Sequence, residues 1–392
     1  MTRTLALNAL MAVAAAGLLV APFGCGGSDP PASGNDAGDA SPRDTTDGGS
    51  QGGSGGPAGS GGGGQGGGGG SGGSGGGGGV DAGGGVDAAV YPPCGGSSGN
   101  PGSPGASCVG VPATCGPNAD ESCCTSLPVP GGTFLREYNK NHNPVTKYPA
   151  TVSSFYLDKF EVTVGRFRKF VEAGRGTRCS APASGEATHP MIAGSGWDSS
   201  WNDNLAADTA ALKTGLNAGK SLQTWTDAVG PSENLPVNFV TWYEAFAFCA
   251  WDGGRLTTRA EWNYAAVGGS EHREFPWGET TPNATLATFF CSNPGVQCKS
   301  LVGTKPAGNG KWGHADLAGN VWEWNLDFSG LPVMPCTDCA KLAPGSGGYR
   351  SNCGGDSSST EYSINAYSSS GANPNGRDQY GAGIRCARAA PP

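Results

Sequence analysis

The chain of 392 residues carries 71 glycines, only 14% charged residues and a formal net charge of −8. No basic stripe is present to release counterions from phosphate, so nucleic acid is excluded as a partner. From about residue 48 to 85 the sequence is almost wholly Gly with Ser, Gln, Ala and Asp, which leaves too little side chain to offset the entropy of ordering.

In chain order, the first signal is for export. Arg3 precedes an apolar run from Leu5 to Val20, too short to span a bilayer securely. Gly24-Cys25 then follows with a lipobox-like small residue before the cysteine, although Pro22 stands where lipoboxes favour Leu. Residues 1–25 therefore read as a signal peptide with an imperfect lipobox, and Cys25 as the lipidated residue; a plain cleaved signal peptide is the alternative. Residues 26–93 are expected to be a disordered Gly/Ser-rich linker. A flexible chain of about seventy residues has an r.m.s. reach of roughly 45 Å, enough to hold a domain off a membrane. The expectation is a cell-envelope lipoprotein of the outer membrane or cell surface, monomeric, held to the membrane through its lipid anchor.

The chain has 14 cysteines, a heavy load for a reducing compartment and consistent with export. Residues 94–126 form a Cys-rich segment in which Cys94, Cys108, Cys115, Cys123 and Cys124 lack hydrophobic periodicity around them. Disulfide staples of undetermined connectivity are expected there. Cys291/Cys298 and Cys336/Cys339 have the spacing of local staples. Thirteen cysteines remain after Cys25 and cannot all pair, which leaves Cys179, Cys353 or one of the N-terminal group as candidates for a free thiol.

A folded region of 127–392 follows. Thr151 to Asp158 reads as one strand. Phe167, Phe170 and Val171 sit at helical spacing, with Gly174 as the stop. Residues 176–235 read as irregular. Thr241 is a candidate N-cap for a helix with Trp242, Ala245, Phe246, Cys249 and Ala250 on its apolar stripe, ended by Gly253-Gly254. A further short helix begins at Thr258, and beyond Gly268 loops and short strands are expected.

Four blocks stand out in order: Pro236-Val with Thr241-Trp242 and Phe248-Cys249; Gly254-Arg255-Leu256 through Ala260-Glu261-Trp262 to Ala266; Phe275-Pro276-Trp277-Gly278; and Asp316-Leu317-Ala318-Gly319-Asn320-Val321-Trp322-Glu323-Trp324, closed by Gly383-Ile384-Arg385-Cys386. Together they resemble the sulfatase-modifying-factor (formylglycine-generating-enzyme-like) domain family. The resemblance implies an α+β fold related to C-type lectins, low in regular structure. The tryptophans of these blocks (Trp242, Trp251, Trp262, Trp277, Trp322 and Trp324) are read as core anchors.

The resemblance also implies a calcium site at Asp316, Gly319, Val321 and Glu323, with side-chain oxygens at the ends and carbonyls between. A hard cation takes several oxygens from an irregular loop, which this spacing offers. The competing reading pairs Glu323 with an arginine such as Arg255 and makes Asp316 a turn cap. A Cys249–Cys386 disulfide is implied in the same way. The family's oxidases hold copper(I) between two thiolates, but the matching stretch, 354–364, contains no cysteine, and none lies between Cys353 and Cys386. Copper is therefore not expected. Histidines 142, 189, 272 and 314 are scattered, with no nucleophile beside them. Three functions follow as expectations: a calcium-stabilised binding or accessory module for a protein or glycan ligand; an oxidase with ligands relocated to Cys336, Cys339 or Cys353; or a structural envelope protein.

Overall fold

The computed structural model describes residues 105–138, 148–220, 222–291, 298–377 and 381–390, all within one compact unit, Asp87–Pro392. The expected signal segment, Cys25, the 26–93 linker, Cys94 and His142 lie outside the described residues.

The Cys-rich segment is built into the fold. Strands β1 (Ala113–Cys115) and β2 (Glu121–Ser122) form a small antiparallel pair. Disulfides Cys108–Cys124 and Cys115–Cys123 staple it, and Cys115 and Cys123 pack on Phe160, Val302 and Ala315. Next come β3 (Ser126–Val129), β4 (Gly132–Arg136), β5 (Tyr148–Val152) and β6 (Phe155–Asp158). The single strand expected over 151–158 is thus two strands in different sheets, because β5 pairs with β4 whereas β6 pairs with β3. The break falls at Ser153-Ser154, whose polar groups are held outside both ladders. Ser153 N and Oγ donate to Asp338 at 2.6 and 2.7 Å, and Ser154 Oγ accepts from Gly131 N at 2.9 Å.

Helix α1 (Val164–Glu172) begins at an N-cap, Thr163, whose hydroxyl accepts from Arg166 N. It ends at Ala173, and Gly174 follows with φ +68°, the left-handed stop expected of glycine. Residues 176–235 are not wholly irregular: α2 (Thr209–Leu216) is capped by Asp208. Its buried positions are only Leu212 and Leu216, one turn apart and too few to show a period in the sequence. The same region supplies Trp197 and Trp225, each 1% exposed. Helix α3 (Trp242–Trp251) opens with a full capping box, Thr241 with Glu244. After β7 (Arg255–Leu256), α4 (Arg259–Ala266) opens with a second, Thr258 with Glu261. Each box satisfies two amide groups that the first helical turn leaves unpaired.

The remaining strands are β8 (Glu323–Phe328), β9 (Cys336–Thr337), β10 (Arg350–Cys353), β11 (Ser369–Ala372) and β12 (Cys386–Ala389). The sheets run β3-β6-β12-β7, β11-β10-β8 and β4-β5-β9, antiparallel except for the β5–β9 pair. Short sheets with helices packed among them give an α+β fold. One core cluster joins α1 and α3: Phe170 meets Phe248 at 5.6 Å and Trp251 at 5.5 Å between ring centroids. A second joins α4 to the β3–β6 region through Trp262, Leu157 and Phe134. Trp242, Trp262 and Trp324 are fully buried, while Trp251 and Trp277 are half-buried. Cys249, on α3, is bridged to Cys386 at the head of β12 across 137 positions.

Candidate functional site

At the centre of the domain, Glu323 at the start of β8 faces Arg385, the residue before β12, and both side chains are fully buried. Arg385 Nε donates to the two carboxylate oxygens at 2.9 and 3.0 Å, and Nη2 donates to Oε1 at 2.6 Å. Trp262 Nε1 donates to Oε2 at 2.7 Å. The rest of the guanidinium serves the carbonyls of Asp158, Lys159 and Ala315 at 3.0, 2.8 and 2.9 Å. Glu323 therefore has an arginine partner, but it is Arg385 and not Arg255, which pairs with Glu261.

Two more carboxyls surround this pair, Glu161 fully buried and Asp316 half-buried. Glu161 accepts from Asn320 Nδ2 at 2.6 Å and Val321 N at 3.2 Å. Asp316 accepts from Gly303 N at 2.6 Å. Burial first, then the neighbouring Asp316 and Glu323, push Glu161 well above the ordinary carboxyl range. Burial also raises Asp316. The loop between them is tightly wound, with left-handed φ at Asp316, Gly319 and Asn320 (+56°, +81° and +60°). At Gly319 a side chain is excluded, since a Cβ would stand 2.2 Å from Thr288 O.

The donor chemistry of this loop fits a hard cation. Its hydrogen bonds run through the N–H groups of Gly319, Asn320 and Val321 and the carbonyls of Asn320 and Trp322. The carbonyls of Gly319 and Val321 are not among those acceptors. Three carboxyls surround one guanidinium, with Lys299 near Glu161 and Lys305 near Asp316, a carboxyl-rich setting in which a cation would find oxygen ligands. Glu323 fits least well, since both its oxygens are engaged. Among the described residues no three His, Cys, Asp or Glu side chains converge as a metal cage, so an ion here would rest largely on main-chain oxygens, with Asp316 as its carboxylate.

The second stretch, 354–364, follows β10. Gly354 and Gly355 take φ of +96° and +74°, folding the chain over Asp356. One oxygen of Asp356 accepts from Ser358 N, Ser358 Oγ and Ser359 Oγ at 3.0, 2.9 and 2.9 Å. Lys299 Nζ donates to Ser357 Oγ at 2.7 Å, and burial lowers the lysine's pKa. Ile364 is fully buried among Phe275, Ala287 and Ala318, beside a stacked Phe275–Trp277 pair with centroids 5.2 Å apart. Hydroxyls, a carboxylate, an ammonium and an aliphatic plug thus occupy this stretch.

Among the described residues, no thiolate pair reaches it. Phe290 N and Cys291 N donate to Ser359 O and Ser357 O at 2.9 and 2.8 Å, but Cys291 is bridged to Cys298. Cys336 is bridged to Cys339, and Cys179 is also in a disulfide. Cys353 is free but buried, its Sγ donating to Asn325 Oδ1 at 2.9 Å. Burial pushes its thiol far up, the opposite of what a soft-metal ligand needs. The three described histidines are structural as well. His189 lies 3.3 Å from Glu261 and His272 Nε2 accepts from Leu135 N at 3.0 Å. His314 is fully buried and pushed down to about 3 by burial and by Arg385.

Glu161 and Lys299 belong to this site without having been singled out by the sequence, and Arg385 was marked there only as part of the closing block. Glu161 lies 159 positions from Asn320, and no local period or spacing marks such a pair.

Over 237 residues the chain is 28% identical to the formylglycine-generating enzyme of Mus musculus, covering 52% of this chain and 58% of that protein. It is 31% identical to the inactive C-alpha-formylglycine-generating enzyme 2 of Mus musculus, covering 50% of this chain and 66% of the relative. The chain thus spans less than two thirds of these relatives. PvdO from Pseudomonas aeruginosa superposes with a TM-score of 0.47 at 20% identity, covering 68% of this chain and 94% of that one. Residues 111–390 match the sulfatase-modifying factor enzyme 1-like domain, and the chain belongs to that family.

Proposed function

We propose that this chain is an exported, lipid-anchored envelope protein. In this reading its sulfatase-modifying-factor domain serves as a calcium-stabilised binding or accessory module for a protein or glycan ligand. The observation that carries the reading is the make-up of 354–364. Ser359 is hydrogen-bonded to Asp356 and Ile364 is buried in an apolar cluster, so a copper(I) ion finds no pair of sulfur ligands there. That one of the related proteins is itself named inactive is in keeping with a fold retained for binding. Calcium would be held by Asp316 and by the carbonyls of Gly319 and Val321, and would supply positive charge beside Glu161 and Asp316, which the Glu323–Arg385 pair leaves without an ion-pair partner. The long Gly-rich stretch before residue 94 is suited to presenting such a module away from a membrane.

The test is direct. Purified protein is loaded with copper(I), incubated aerobically with a Cys-x-Pro-x-Arg peptide, and the peptide mass is followed. No conversion to formylglycine is expected, and conversion would overturn the reading. Lipidation is checked separately, by acyl labelling of the expressed full chain and loss of the label in Cys25→Ser.

A further inference from the structure

Among the described residues only three Phe, Tyr or Trp side chains are exposed: Phe290 (67%), Tyr349 (49%) and Tyr362 (73%). Two of the three, Phe290 and Tyr362, rise from one apolar base. Phe289, which precedes Phe290, packs against the buried cluster of Phe275, Ala287, Ala318 and Ile364, and Ile364 itself stands two residues after Tyr362. The two segments are also tied along their backbones. Phe290 N donates to Ser359 O at 2.9 Å and Cys291 N to Ser357 O at 2.8 Å. Beyond Ser359, Ser363 N donates to Thr360 O at 2.9 Å and Asn365 Nδ2 to Tyr362 O at 2.6 Å, which fixes the turn that carries Tyr362. Phe290 holds a left-handed φ of +55°, a conformation rare for a bulky residue and kept only where the surroundings impose it.

Apolar rings held out in water on a fixed backbone are poised for a ligand that covers them. Two rings exposed to this degree offer roughly 200–350 Å², well short of the about 800 Å² per partner that a stable protein interface buries. The surroundings are polar and negative. Ser358 and Thr360 are exposed, and Glu361 is in no ion pair among the described residues. Lys299, the ammonium of this stretch, is buried against Ser357. A carboxylate and hydroxyls beside an aromatic face suit a sugar, whose C–H face packs on the ring while its hydroxyls donate to the carboxylate. The charge of Glu361 repels an acidic sugar. Deepening the binding reading above, and resting on it, we propose that Phe290 and Tyr362 are the platform of a site for a short neutral oligosaccharide, one sugar ring stacked on each aromatic ring.

The full chain is screened on an array of neutral and acidic oligosaccharides, and its best neutral binder is titrated calorimetrically. Phe290→Ala and Tyr362→Ala should each weaken that binding by about tenfold or more. Both rings are exposed, so the melting temperature should not move. Tyr349→Ala, which removes the third exposed ring, should bind as the wild type does. An array with no neutral binder, binding confined to acidic sugars, or a Phe290→Ala/Tyr362→Ala double variant as tight as the wild type would each overturn the proposal. The copper(I) peptide assay is read separately. Oxidation of the peptide sinks the wider binding reading, whereas an intact peptide together with an array lacking neutral binders removes the glycan alone.

Discussion

Arg166 of α1 and Asp252, the C-cap of α3, form a fully buried ion pair, Nη2 to Oδ2 at 2.6 Å. The pair is the hub of a larger network. Arg166 also holds Asp158 at 2.9 Å and Ser107 Oγ at 3.0 Å, and Ser107 N donates to Asp252 Oδ1 at 2.8 Å. Arg388 closes the circuit from β12, reaching Asp252 at 2.7 Å and pairing with Asp158. Through these contacts the stapled N-terminal segment is fastened to helices and sheet together. Removing Arg166 strands two buried carboxylates with only Arg388 between them. Arg166→Ala is therefore expected to cost about 3 kcal/mol or more, read as a lower urea midpoint at unchanged slope.

Acid sensitivity should be traceable to Glu261. Burial alone would raise this carboxyl, but Arg255 and His189 outweigh it and hold the folded-state pKa well below the usual range. A depressed carboxyl contributes stability that is complete above its unfolded pKa, about 4.3, and fades as pH falls toward the folded value. The stability gap between wild type and Glu261→Gln should accordingly be largest near pH 7 and narrow progressively below about pH 4. Paired denaturation curves at pH 7 and pH 3 check this, and a gap that widens in acid would contradict it.

Calcium removal should destabilise the folded domain. An ion present at 100 times its dissociation constant adds about 2.7 kcal/mol, or roughly 5–10 °C in melting temperature for a domain of this size. Chelation is expected to lower the melting temperature by that order, calcium to restore it and magnesium to do so poorly. Asp316→Asn should melt low with or without chelator. A melting curve indifferent to chelator and to calcium would remove the ion from the account.

Gly319 is expected to tolerate no side chain. Its φ of +81° disfavours any L-residue, and the added Cβ would press on a main-chain oxygen rather than a movable side chain. Gly319→Ala should lose at least about 1–2 kcal/mol. Gly174→Ala also has φ near +70° but nothing within 4 Å of the new carbon, so it should lose less. Thermal melts of the two variants side by side separate backbone strain from collision.

Some of this protein was legible in its sequence because the causes are local. Thr241 as an N-cap and Thr258 at the head of the next helix announce two helix starts. Gly174 and Gly253 announce two stops, and the missing cysteines of 354–364 need no fold to be noticed. Pairing across the chain had no such signal. That Arg385 and not Arg255 would meet Glu323, that Ser153-Ser154 would split one apolar run between two sheets, and that Cys353 would end as a buried thiol were decided by packing. Each depends on which distant groups are desolvated together, and the strength of an ion pair or the proton affinity of a thiol is set by that shared burial rather than by residue type.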